Sequence, residues 1–146
     1  TIAARDDMSQ LNVMVNSARS LIEIARLVLQ AELFNADQQT DAAIGALTSA
    51  VRLEDNLNYM EPPDWSNPVR HELGALLLAA GRSAEAESVF WEDLRRHPNN
   101  GWGLHGVWQA LVQQNRNARA AELQLRFDQS WRHADTQLVN ARAAQP

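Results

Sequence analysis

The sequence predicts an all-α fold, on three observations. Apolar residues recur every three or four positions along most of the 146-residue chain, which is the stripe of a helix buried on one face. No run of residues carries the pattern of a parallel sheet. Small residues and residues suited to helix ends return at a fixed interval of 34, as if one helical hairpin had been laid down repeatedly.

Taken in order, residues 1 to 8 (TIAARDDM) are polar and aperiodic, a frayed lead-in. From Leu11 the positions Leu11, Met14, Ala18, Leu21, Ile22, Ala25, Val28 and Leu29 share one helical face, and no Gly or Pro interrupts before Asn35. The expectation is one long helix from about Ser9 to Phe34, with a bend near Asn16 and Ser17 as the alternative. Thr40 then caps a second helix whose Ala43, Ile44, Leu47, Ala50, Val51 and Leu53 face inward, running on toward Asn58 because no proline stops it. The stretch NYMEPPDWSNP cannot continue a helix and forms an extended connector over residues 59–68, which Trp65 pins.

The next hairpin, over residues 67–98, is the most regular. Gly74 and Ala86 let two helices approach closely, and Leu73, Leu77 and Phe90 fill the space between them. Gly81 ends the first helix, Ser83 caps the second, and Pro98 stops it. The last hairpin, over 101–140, keeps strict period: Leu104, Leu111, Asn115, Asn117 and Ala120 each lie 34 residues after Arg70, Leu77, Gly81, Ser83 and Ala86. Trp108 stands where Gly74 stood and is read as hairpin core, while Trp131, Ala134 and Leu138 carry the final helix to about Asn140. From Ala43 to Ala86 the interval is 43, the connector accounting for the excess. The length is that of one domain.

Composition excludes several classes. A net charge of −5 with no basic stripe argues against nucleic acid. The chain has no cysteine, so no disulfide or thiolate metal site holds it together. No 18-residue apolar run exists to span a membrane. The chain starts at Thr1, without Met or a signal-peptide pattern, as a mature form or a piece of something longer would, and the compartment stays open between cytoplasm and periplasm.

Leu73, Gly74, Leu77, Gly81, Ala86, Phe90 and Pro98 sit at the spacings of a tetratricopeptide repeat (TPR), with Arg70 in place of the usual Trp. The chain resembles that family from about Leu21 to Leu138. More narrowly, LEDNLNYMEPPDWSNPVR, LLAAGRSAEAE, DLRRHPNNGWGLHG and WRHAD look like the C-terminal part of large bacterial TPR proteins. The resemblance implies three hairpins stacked into a right-handed α-α superhelix, and a soluble protein- or peptide-binding scaffold rather than an enzyme, with no cofactor. It also implies a groove lined by the first helix of each hairpin. Here that groove would comprise Val28 and Glu32, then His71, Ala75 and Leu78, then Trp102, His105, Gln109 and Val112. The carboxylate clamp known in the family is not expected, since the chain has no Lys. An apolar or aromatic ligand suits these residues better.

Other chemistry is less well supported. Gly101, Gly103 and Gly106 spell the dinucleotide fingerprint but follow a charged helix instead of a strand, so their expected task is close packing of the third hairpin on the second. His71-Glu72 lacks the second His of a zinc-protease motif. His71 and His105, one repeat apart, could share a metal with Glu72 as the only obvious third ligand, a metal-binding accessory role that stands as an alternative. His133 with Asp135, Glu85 with Glu87, and Glu54 with Asp55 do not face each other on a helix. Trp91 and Trp131 lie off the inward stripes, where they would serve self-association. Capping of a longer repeat array is the other structural alternative.

Overall fold

The computed structural model describes residues 11–135 and 138. Six helices follow a short ribbon: β1 (Asn12–Val13), β2 (Asn16–Ser17), α1 (Ala18–Ala36), α2 (Thr40–Asp55), α3 (Val69–Ala79), α4 (Ser83–Arg96), α5 (Gly101–Gln113) and α6 (Asn117–Trp131). The protein is thus mostly helical, and no described helix is long and apolar enough to cross a membrane. The chain divides into two compact units, Thr1–Val69 and Arg70–Pro146, where length alone predicted one domain.

In the first unit, α1 begins later than the apolar stripe predicts. Ser17 is extended, and its side-chain oxygen accepts from the Ser20 amide at 3.1 Å, capping the helix. Before it, Asn12 pairs with Ser17 and Val13 with Asn16 across a turn in which Met14 has φ 55°. The reason is a contact distant in sequence. Asn16 is buried, donates to Asp64 Oδ2 at 2.8 Å and to the Asn58 carbonyl at 3.2 Å, and accepts from the Asn58 amide at 2.7 Å. A helical Asn16 would point elsewhere, so tying down the connector outweighs another two turns of helix. The same bonds draw Asn58 out of α2, which stops at Asp55 short of the expected Asn58. Ser9, and with it the expected start of α1, lies outside the described residues. The core of the unit is Ile24 and Ala31 from α1 against Ala43, Ile44, Leu47, Ala50 and Val51 from α2.

Three turns share one geometry. Gln38, Gly81 and Asn115 are left-handed, with φ 60°, 74° and 59°. The next residues, Gln39, Arg82 and Arg116, have φ, ψ near −90°, 62°; −85°, 51°; and −90°, 56°. Their amides donate to the carbonyls of Phe34, Leu77 and Leu111 at 2.8, 2.8 and 2.9 Å, the longer bond of a Schellman closure. Thr40, Ser83 and Asn117 occupy one equivalent site, as their spacing predicts, but they do not cap. Each is the first helical residue, and no side-chain cap bond forms at any of the three helices. The left-handed turn has already consumed the preceding position. Ala43, Ala86 and Ala120 follow at equivalent places and are all buried.

In the second unit, glycines set the packing distance. The Phe90 ring lies between Gly74 of α3 and Gly106 of α5, and a Cβ at either position would strike it. Gly103 admits Leu94 and the Asp93 carboxylate, and Gly101 lies under the Trp131 indole. The glycine pattern at 101–106 thus serves side-chain packing within a helix. The last helix ends at Trp131, not near Asn140, because Trp131 is the last residue with glycine and aromatic rings to cover. Arg132 to Asp135 are exposed, and a 3.0 Å bond from the Ala134 amide to the Trp131 carbonyl turns the chain. Thr136, Gln137, Val139 and Asn140 lie outside the described residues.

Candidate functional site

Two polar features of the second unit stand one repeat apart. The first is built on Asp93, an acidic residue on the inward stripe of α4, three positions after Phe90. It is 1% exposed, yet it has three donors. His71 Nε2 approaches Oδ2 at 3.1 Å, Asn100 Nδ2 donates to the same oxygen at 3.1 Å, and His97 Nδ1 approaches Oδ1 at 3.2 Å. An ionised carboxylate only accepts, so each ring nitrogen facing it carries the proton. Asn100 also accepts from the Trp102 amide at 3.1 Å, capping α5 with the side chain that secures Asp93. Burial by itself would raise the Asp93 carboxyl. The His71 hydrogen bond and charge, helped by His97, hold it below the ordinary carboxylate range.

The second feature centres on His105 of α5. His71 and His105 are 34 residues apart, and so are Asp93 and Phe127, so the partner of the second imidazole is a phenyl ring. The His105 ring lies 5.4 Å from Phe127 and 5.3 Å from Trp108, centroid to centroid. Burial pushes its pKa below the ordinary imidazole range. Phe127 in turn stacks on Trp131 at 5.8 Å, Trp131 meets Trp102 edge-on at 4.9 Å, and Trp102 lies parallel to His71 at 6.4 Å. A continuous line of rings therefore runs from His71 to Trp108. Trp131, expected at the surface, is half-buried within it, whereas Trp91 is exposed as its place off the stripe predicts.

The nine residues expected to line a groove are distributed unevenly. Val28 is half-buried and Glu32 exposed on α1, in the first unit. On α3, His71 and Leu78 are buried and Ala75 half-buried. On α5, His105 is buried, Trp102 and Gln109 are half-buried and Val112 is exposed. His71 faces inward to Asp93, so its part in this arrangement is to hold α3 to α4. Trp102, His105 and Gln109 fall at helical spacing on one face of α5, and three buried atoms there, Trp102 Nε1, His105 Nδ1 and Gln109 Oε1, make no hydrogen bond.

Asp93 is the residue that reading the sequence missed. Its signal was present: an acid seven residues after Ala86 falls on the inward stripe, where only a paired carboxylate is tolerated. Among the described residues, no three His, Cys, Asp or Glu side chains gather to hold a metal ion. His71 and His105 sit in separate surroundings, one on a carboxylate and one among rings. The chain matches no known family model and no curated protein.

Proposed function

We propose that this chain is a TPR-like scaffold whose α5 face binds an uncharged, apolar or aromatic peptide segment. One observation carries the reading. Trp102, His105 and Gln109 present an indole N–H, a ring nitrogen and an amide oxygen, all without a hydrogen-bond partner, beside half-exposed aromatic surface. Unpaired buried polar atoms are costly, and a folded chain retains them where something else completes them. A peptide group offers one donor and one acceptor, and its side chain would find the rings. The three atoms lie under their own neighbours, so binding requires the half-buried Trp102 and Gln109 side chains to turn outward. The equivalent turns and the buried Ala43, Ala86 and Ala120 support the repeat architecture on which the reading rests.

The test is selection of a random-peptide phage library on the folded chain, followed by titration of a selected peptide against wild type and against Gln109→Ala and Val112→Glu. The expected loss is about 10-fold in Kd for each variant, with preference for uncharged aromatic sequences. Absence of enrichment, or peptides that bind both variants as tightly as wild type, overturns the proposal.

Closure of a longer repeat array is a second reading, and one observation favours it. Where α4 carries Phe90 and Leu94, the equivalent positions of α6 are Gln124 and Asp128, bonded to each other at 2.8 Å. An outward polar pair of this kind suits a helix that receives no further neighbour.

A further inference from the structure

The described surface of α1 holds an apolar patch that nothing above uses. Leu29 is 62% exposed and Leu33 is 60% exposed, and they stand one turn apart on the same face. Matching the turns at Gln38 and Asn115 aligns Leu29 with Gly106 and Leu33 with Ala110. Both α5 residues are buried, and Gly106 rests on the Phe90 ring of α4. In α5, therefore, this face receives another helix, while in α1 the same face is open.

We infer that the open face of α1 pairs with the α1 of a second copy of this chain, as an antiparallel two-fold dimer. Its residues are complementary to themselves. With the two-fold axis level with Ala31, each Leu29 meets the partner's Leu33, and Arg26 comes beside the partner's Asp37 on the same flank. Ala25 and Ala36, both exposed, leave room for close approach at the two ends. Arg26 already holds Glu23 at 2.7 Å and Gln30 at 2.8 Å along its own helix, an exposed arrangement that holds the guanidinium over that flank. The outward face of α6, with Gln124 and Asp128, offers no matching apolar surface, so head-to-tail pairing is disfavoured. A single helix pair buries less than the roughly 1,200 Å² of a stable interface, so the dimer forms only at high concentration. This dimer is independent of peptide binding at α5.

Sedimentation velocity on the full chain, from about 10 to about 500 µM, reads the equilibrium directly. The expected result is a rise toward the dimer value. Leu29→Glu removes it without change in circular dichroism, since the side chain is already exposed. Arg26→Glu weakens it by about 5-fold or more, and the pair Arg26→Glu with Asp37→Arg restores it. A wild-type chain that remains monomeric throughout overturns the inference. So does a dimer that survives Leu29→Glu, including one that Trp91→Ala abolishes.

Discussion

The second and third hairpins carry the same imidazole at the same repeat position and give it opposite surroundings. His71 meets the buried carboxylate of Asp93, backed by Asn100 and His97, whereas His105 meets Phe127 and Trp108 and leaves Nδ1 without a partner. The lesson is that the repeat fixes where a side chain points and leaves its chemistry free. One position serves as an internal clamp in one hairpin and as part of an incompletely satisfied face in the next.

Replacing the packing residue at equivalent places breaks this comparison most strongly. Phe90→Ala empties the space between Gly74 and Gly106 and is expected to cost about 3–5 kcal/mol, while Gln124→Ala, at the matching position of α6, costs less than about 0.5 kcal/mol. Urea unfolding of the two variants measures the difference. Equal losses would mean that α4 and α6 are not equivalent in their packing.

Asp93→Ala comes next, at about 1–3 kcal/mol, because it strands the donors of His71 and Asn100 in the interior. Asp93→Asn should lose less, keeping the shape and one acceptor. Thermal melts separate the two, and an Asp93→Ala protein as stable as wild type would show that the buried cluster contributes nothing net.

The pH dependence distinguishes the hairpins by range. His105 binds a proton less readily folded than unfolded, so its contribution is complete above the ordinary imidazole value of about 6.5 and is lost as pH falls through the lower folded value. Asp93, also depressed, contributes fully above the ordinary carboxylate value of about 3.9 and loses that contribution as pH falls through its lower folded value. Melting temperature between pH 7.5 and 5 should therefore fall less in His105→Leu than in wild type. Phe127→Asp, which gives His105 the partner His71 has, should reverse the trend. Below about pH 4, Asp93→Asn should show the shallower fall.

The smallest effect lies in the turns. Gln38→Gly is expected to gain about 0.5–1 kcal/mol, because a left-handed glutamine is strained, and Gly81→Ala to lose about 1 kcal/mol at the matching site. A loss on Gln38→Gly would mean that the glutamine side chain contributes to the first turn.

Helix spacing, the hairpin turns at Gly81 and Asn115, the buried Ala43, Ala86 and Ala120, and the packing task of Gly101, Gly103 and Gly106 were all legible in the residue order. They depend on neighbours three or four positions away or on a spacing that repeats. Asp93 was legible only in part, as an acid on an apolar stripe. The left-handed Gln38 carried no signal, because its conformation is imposed by the closure around it. The start of α1 was misread for a related reason: a uniform apolar period says nothing about Asn16 reaching the connector 42 and 48 residues away.

What the sequence determined alone was local: which segments are helical, which face of each is apolar, and where small residues permit close approach. The tertiary structure decided which helix ends are real, which histidine finds a carboxylate, and which apolar face stays open. Those outcomes depend on contacts between residues far apart in the chain, where the energy of one buried hydrogen bond or ring contact outweighs the weak local preference for continuing a helix.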